Sequence, residues 1–147
     1  MSSMSHRSGA ATQRRERETL NKVVRERPTA TIILDKAILV HTRLGPGLLE
    51  SVYRACLTHE LRTAGRKVVV EQLLPIVYDG IELDGYRLDM LVNDGVIVEI
   101  KTVERLLPVH QAQLLSYLKL LDKRLGLLIN FKVPQVMQGV KRIVNDF

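Results

Sequence analysis

Tyr86–Lys101 reads YRLDMLVNDGVIVEIK, and the length of the loop at its centre decides how the rest of the chain is interpreted. Two runs rich in Val, Leu and Ile flank Asn93-Asp94-Gly95, and a short polar break ending in Gly marks a β-hairpin. A three-residue loop, with a type I turn and Gly95 in the left-handed region, pairs Val92 with Val96, Met90 with Val98 and Leu88 with Ile100 on one apolar face. Side chains alternate with period two, so the other face pairs Leu91 with Ile97, Asp89 with Glu99 and Arg87 with Lys101. A two-residue loop would send Asp89 and Glu99 to opposite faces.

Carboxylates directly across a strand pair lie roughly 5 Å apart at Cβ and repel. A divalent cation gives such a pair a reason to exist: hard oxygen ligands suit Mg²⁺, with Mn²⁺ as the alternate, and Lys101 projects to the same side, within reach of a phosphate or a bound water. The competing interpretation is a polar strand face that is merely wet.

Composition sets the frame. The 147 residues, 46% hydrophobic, suffice for one domain with a real core. A single cysteine, Cys56, excludes an internal disulfide and falls within a helical apolar pattern, as a buried thiol in a reducing compartment would. With no signal peptide and no apolar run of about 18 residues, the expectation is a soluble, cytoplasmic protein away from membranes. Residues 1–30 hold seven Lys or Arg against three Glu, a net of +4 out of the chain's +6. Basic excess favours polyanionic partners, but here it sits mainly in a tail.

The expected organisation is an arm over residues 1–28 and one domain over 29–147. Residues 1–11 are small and polar and are expected to be disordered; 12–27 suggest a loosely helical basic arm, either touching nucleic acid or simply solvated. Thr29–Leu44 carries Ile33, Ala37, Val40 and Leu44 at helical spacing and stops at Gly45-Pro46-Gly47, which lacks the Lys-Ser or Lys-Thr of a phosphate loop. A second helix is expected from Leu48 to Ala64, with Glu50 beside its apolar stripe and wanting a partner. Tyr53 on that stripe either packs or touches substrate.

Residues 67–84 read as strands with a turn at Asp79-Gly80, and Pro108 opens a third helix to Leu121 that places Gln113 and Tyr117 on one face. His110 on the same face either lines the site or serves the first turn; His41 and His59 read as incidental. Leu125–Phe131 is apolar throughout, as in a buried strand reached by a helical crossover. Residues 140–144 fit a short strand or a last helix. The order predicts an α/β (α+β) fold, a mixed central sheet flanked by helices.

Gly47-Leu48-Leu49-Glu50-Ser51-Val52-Tyr53, together with LDMLV, VEIK, HQAQLLSYL and GLLINF, resembles the GxxExxY proteins, a group within the PD-(D/E)XK nuclease superfamily. The resemblance covers about Ile32 to Val144. It implies a restriction-endonuclease-like core and a Mg²⁺-dependent nuclease acting on nucleic acid, with DNA as the expected substrate. It implies a site in which Asp89, Glu99 and the backbone carbonyl of Ile100 hold the metal. Glu50 reaches the metal directly or through water, and Lys101 assists the chemistry. Gln113 and Tyr117 resemble the Gln-x-x-x-Tyr element of RecB-like nucleases and, with Tyr53, would contact substrate or hold the catalytic groups. Leu88 stands where many members have Pro. Two rivals remain: a catalytically silent nucleic-acid- or protein-binding module of the same fold, and a structural subunit whose hairpin acids pair internally with Arg87 or Lys101. So small a chain also suggests a homo-oligomer or a protein partner.

Overall fold

The structure, a computed structural model, describes the backbone of residues 2–146 and the side chains of residues 9–146. The expectation for residues 1–11 falls partly outside these; from Ser2 the backbone belongs to helix α1 (Ser2–Arg25), whose side chains from Gly9 onward are mostly exposed. Helix α2 (Arg27–Leu44) follows with Pro28 in its first turn, where a missing N–H costs nothing, and buries Ile33, Ala37 and Val40. Gly45, at φ 74°, ends it and donates its N–H to His41 O at 2.8 Å.

Helix α3 (Glu50–Thr63) begins two residues later than its apolar pattern suggests. Tyr53 is the reason. Its hydroxyl donates to Gly45 O and accepts from Leu48 N at 3.1 Å, so the Gly45–Leu48 segment is held as a loop and Glu50 becomes the first helical residue. The ring is fully buried and stacks on Phe131 at 4.4 Å, a contact worth about 1 kcal/mol beyond the area it buries.

Five strands form one mixed sheet in the order β1-β2-β3-β4-β5: β1 (Val68–Tyr78), β2 (Ile81–Val92), β3 (Val96–Lys101), β4 (Leu125–Asn130) and β5 (Val140–Val144). Residues 140–144 are thus a strand. All neighbours are antiparallel except β3 and β4, which helix α4 (Pro108–Leu121) connects as a crossover. One apolar cluster joins α2 and α3 to Met90, Val92, Val98, Ile100 and Leu127; the other joins α4 to Leu88, Leu91, Ile97 and Leu128.

The hairpin has the expected three-residue loop and register, Val92 with Val96 and Met90 with Val98. Its turn differs. Asn93 and Asp94, at φ 51° and 57°, take the left-handed positions, and Gly95 does not. Asn and Asp tolerate that region because their short side chains bond locally; Asn93 accepts from Lys67 N at 3.1 Å.

A larger correction concerns Leu88, expected on the core face opposite Ile100. It lies instead in the α4-side cluster with Leu91, while Met90 faces α2 and α3. Glu71, opposite this point on β1, sits at φ 51°, and one left-handed residue reverses the pleat of the strand pair. Beyond it, even-numbered residues change faces. The β2–β3 ladder ends at Met90 and Val98, and Arg87 pairs with Leu73 on β1, not with Lys101.

Candidate active site

Where the ladder ends, side chains take over its hydrogen bonds. The Asp89 N–H donates to Glu99 Oε1 at 3.1 Å, and the Ile100 N–H donates to Asp89 Oδ2 at 2.7 Å. Each acid therefore holds the backbone of the other's strand, which forces the two carboxylates together at the hairpin mouth. Glu99 is only 7% exposed, and burial first, then the charge of Asp89, pushes its carboxyl up from 4.5 to about 8. The N–H bond from Asp89 and the nearby Lys101 ammonium pull the other way.

Lys101 is half-buried at the end of β3, where its C=O accepts from Phe131 N at 2.9 Å. Backbone groups alternate sides along a strand, so the neighbouring Ile100 turns its C=O, like its N–H, toward the carboxylates. From α4, Tyr117 joins the site. Burial, followed by the charges of Glu99, Tyr86 and Asp89, raises its phenol to about 12, against a hydrogen bond from Gln113. Tyr117 is thus an O–H donor at any ordinary pH, and Gln113 touches it as the four-residue spacing predicted.

Arg54 belongs here and was missed. Its Nη1 meets Asp89 Oδ1 at 3.3 Å and its Nη2 meets Glu71 Oε1 at 3.1 Å. Glu50 stands one turn earlier on the same side of α3, half-exposed; among the described residues no group of three His, Cys, Asp or Glu is already clustered for a metal. The acids that meet are Asp89 and Glu99, with Lys101, Tyr117 and Arg54 around them. Tyr53, expected as a substrate contact, is fully buried with its hydroxyl occupied, so its part is to fix the loop that sets Glu50.

Of the histidines, His110 Nδ1 accepts from Leu107 N at 2.9 Å and serves the first turn of α4, while His41 Nε2 meets Val133 O at 2.8 Å and ties α2 to the β4 exit. Asn130 also went unnoticed. Buried opposite Lys101, it accepts from Val103 N at 3.1 Å and donates to Val103 O at 2.8 Å, clamping the segment just after the lysine. Asn130→Ala leaves the backbone groups of half-buried Val103 without their partner and should cost about 1–3 kcal/mol in all, read as a lowered denaturation midpoint with an unchanged slope.

The donor chemistry fits a hard cation: two contacting carboxylates, one of them buried at an energetic cost, with a backbone carbonyl turned to the same opening. A mixed sheet flanked by helices, with an Asp and a Glu-x-Lys converging where one hairpin opens, defines a restriction-endonuclease-like core. A family profile described as the PD-(D/E)XK nuclease superfamily matches residues 27–143, and the chain belongs to that superfamily. Nucleases of this superfamily generally use divalent metals. No match was found among curated proteins or solved structures. Among the described residues, no helix is long and apolar enough to cross a membrane.

Proposed function

We propose that this chain is a Mg²⁺-dependent nuclease of the GxxExxY group that hydrolyses phosphodiester bonds in nucleic acid, with DNA as the favoured substrate and Mn²⁺ able to substitute. The reading rests on the mutual capture of Asp89 and Glu99, 3.1 and 2.7 Å from each other's strand, with Lys101 beside them. Residues 29–147 form the catalytic domain, with residues 1–28 as its basic arm.

Asp89, Glu99 and the Ile100 carbonyl would hold the cation, with Glu50 reaching it through water. When bound, the metal supplies Lewis acidity to the scissile phosphate and lowers the pKa of a coordinated water. Lys101 orients the attacking water and offsets the charge that grows on the phosphate, an effect that is strongest when the ammonium is already in place. Tyr117 keeps its proton and donates to a phosphate oxygen, and Gln113 aims it. Arg54 fixes the Asp89 carboxylate from the α3 side.

The test is incubation of the purified chain with labelled single-stranded DNA, duplex DNA and RNA in Mg²⁺, Mn²⁺ or chelator. Cleavage of at least one substrate with metal, abolished by chelator, is expected. The Arg54 pairing of Asp89 favours a second reading, a binding module that holds nucleic acid without cutting; salt-dependent binding without cleavage under any metal would establish it.

A further inference from the structure

Between α3 and β1 lies a cleft of about 650 Å³, and Arg54 on its wall also pairs with Asp89 of the acid pair. Its α3 wall carries Ser51, Arg54, Thr58, His59 and Arg62, and its β1 wall carries Glu71. We propose that this cleft is a backbone-phosphate track, holding the nucleic-acid strand that leads away from the scissile phosphate, with Arg62 and Thr58 as its contacts. The proposal rests on the nuclease reading for the identity of its polyanion, and deepens it by giving the strand a path.

Charge supports this assignment. Glu71 is the acid on the cleft's walls, and the Arg54 Nη2 at 3.1 Å covers it. The remaining ionic group is Arg62, backed by His59. Arg62 donates one N–H to Val68 O at 2.8 Å, which pins the guanidinium to the wall; it makes no other pairing among the described residues, so most of its five donors stay open to a phosphate. Eight residues separate Arg54 from Arg62, about 12 Å along the helix. Arg54 is already held by Asp89 and Glu71, so Arg62, further along the helix, is the guanidinium left to meet a phosphate of the strand leading away.

The floor gives an independent sign. Thr58 is 6% exposed, and its Oγ1 has no hydrogen-bond partner among the described residues. A buried hydroxyl without a partner costs free energy. Thr58 lines the cleft, so a change of rotamer toward a phosphate oxygen bound there would supply the missing partner, and the cost is then recovered on binding.

The experiment is anisotropy of a labelled single-stranded oligonucleotide on the full chain, in Ca²⁺ to hold the complex without turnover, across a salt series. Arg62→Gln should lower the slope of log K against log[salt] by about 0.7, the loss of one single-strand phosphate contact. Arg62→Lys should restore the slope, Thr58→Val should weaken binding at every salt concentration with the slope kept, and Lys141→Gln on exposed β5 should change neither. An unchanged slope in Arg62→Gln, with unchanged affinity in Thr58→Val, overturns the track even if the wild type cleaves. Altered slopes in a chain that never cleaves support the track and remove the nuclease reading instead.

Discussion

Asp89→Asn and Lys101→Ala should each lower metal-dependent cleavage by about 10²–10³-fold or more while leaving the fold intact. The asparagine is nearly isosteric, and its side-chain oxygen can still accept the Ile100 N–H that Asp89 Oδ2 holds at 2.7 Å. The hairpin mouth therefore stays closed, and what disappears is one anionic ligand. An independent readout exists, because the Asp89 charge is the second cause of the raised Glu99 carboxyl: removing it should bring that group back toward the ordinary range. Lys101→Ala acts oppositely, since the ammonium holds Glu99 down, so this variant should raise Glu99 further as it loses cleavage. Single-turnover cleavage with a thermal melt on the same sample separates chemistry from folding. Undiminished cleavage in either variant removes the assignment of these residues.

The hairpin was legible in the sequence because loop length fixes register, and register alone decides which side chains share a face. The turn type was not, because Asn and Asp can take the left-handed role usually given to Gly, and Asn93 and Asp94 do so. Nothing in the sequence marks Glu71 as a residue at positive φ, so the reversed pleat that moves Leu88 to the α4 side could not be foreseen. Tyr53 shows the opposite problem. Its position on an apolar stripe already suited the core, and the signature containing it drew it toward the substrate; Phe131, 78 positions away, is what it stacks on. Arg54 was invisible for the same reason, since its partner Asp89 lies 35 residues on. A signal did exist for Asn130: a lone amide inside the apolar run LGLLINF must find buried partners. Gln113 and Tyr117 were readable because four-residue spacing on a helix needs no tertiary knowledge.

Glu99→Gln should make the protein more stable at pH 8 and abolish its cleavage. The sign follows from the direction of the shift: Glu99 is raised from 4.5 to about 8 in the folded chain. The folded state thus binds the proton more tightly than the unfolded one, and the stability this gives is fully present below about 4.5 and lost as pH rises through about 8. Across that window the contribution falls by at most about 1.4 kcal/mol per pH unit. Glutamine cannot ionise, and its side-chain oxygen still accepts the Asp89 N–H now 3.1 Å from Glu99 Oε1, so the variant escapes the loss. Melting curves from pH 5 to 8.5 should show the wild type falling relative to Glu99→Gln, with the gap widest at the alkaline end. Mg²⁺ at pH 8 should then raise the wild-type midpoint by mass action while leaving the variant unmoved, because binding needs the carboxylate that glutamine lacks. Parallel curves in the absence of metal would mean that Glu99 is already ionised at no cost, and an equal response of both proteins to Mg²⁺ would place the cation elsewhere.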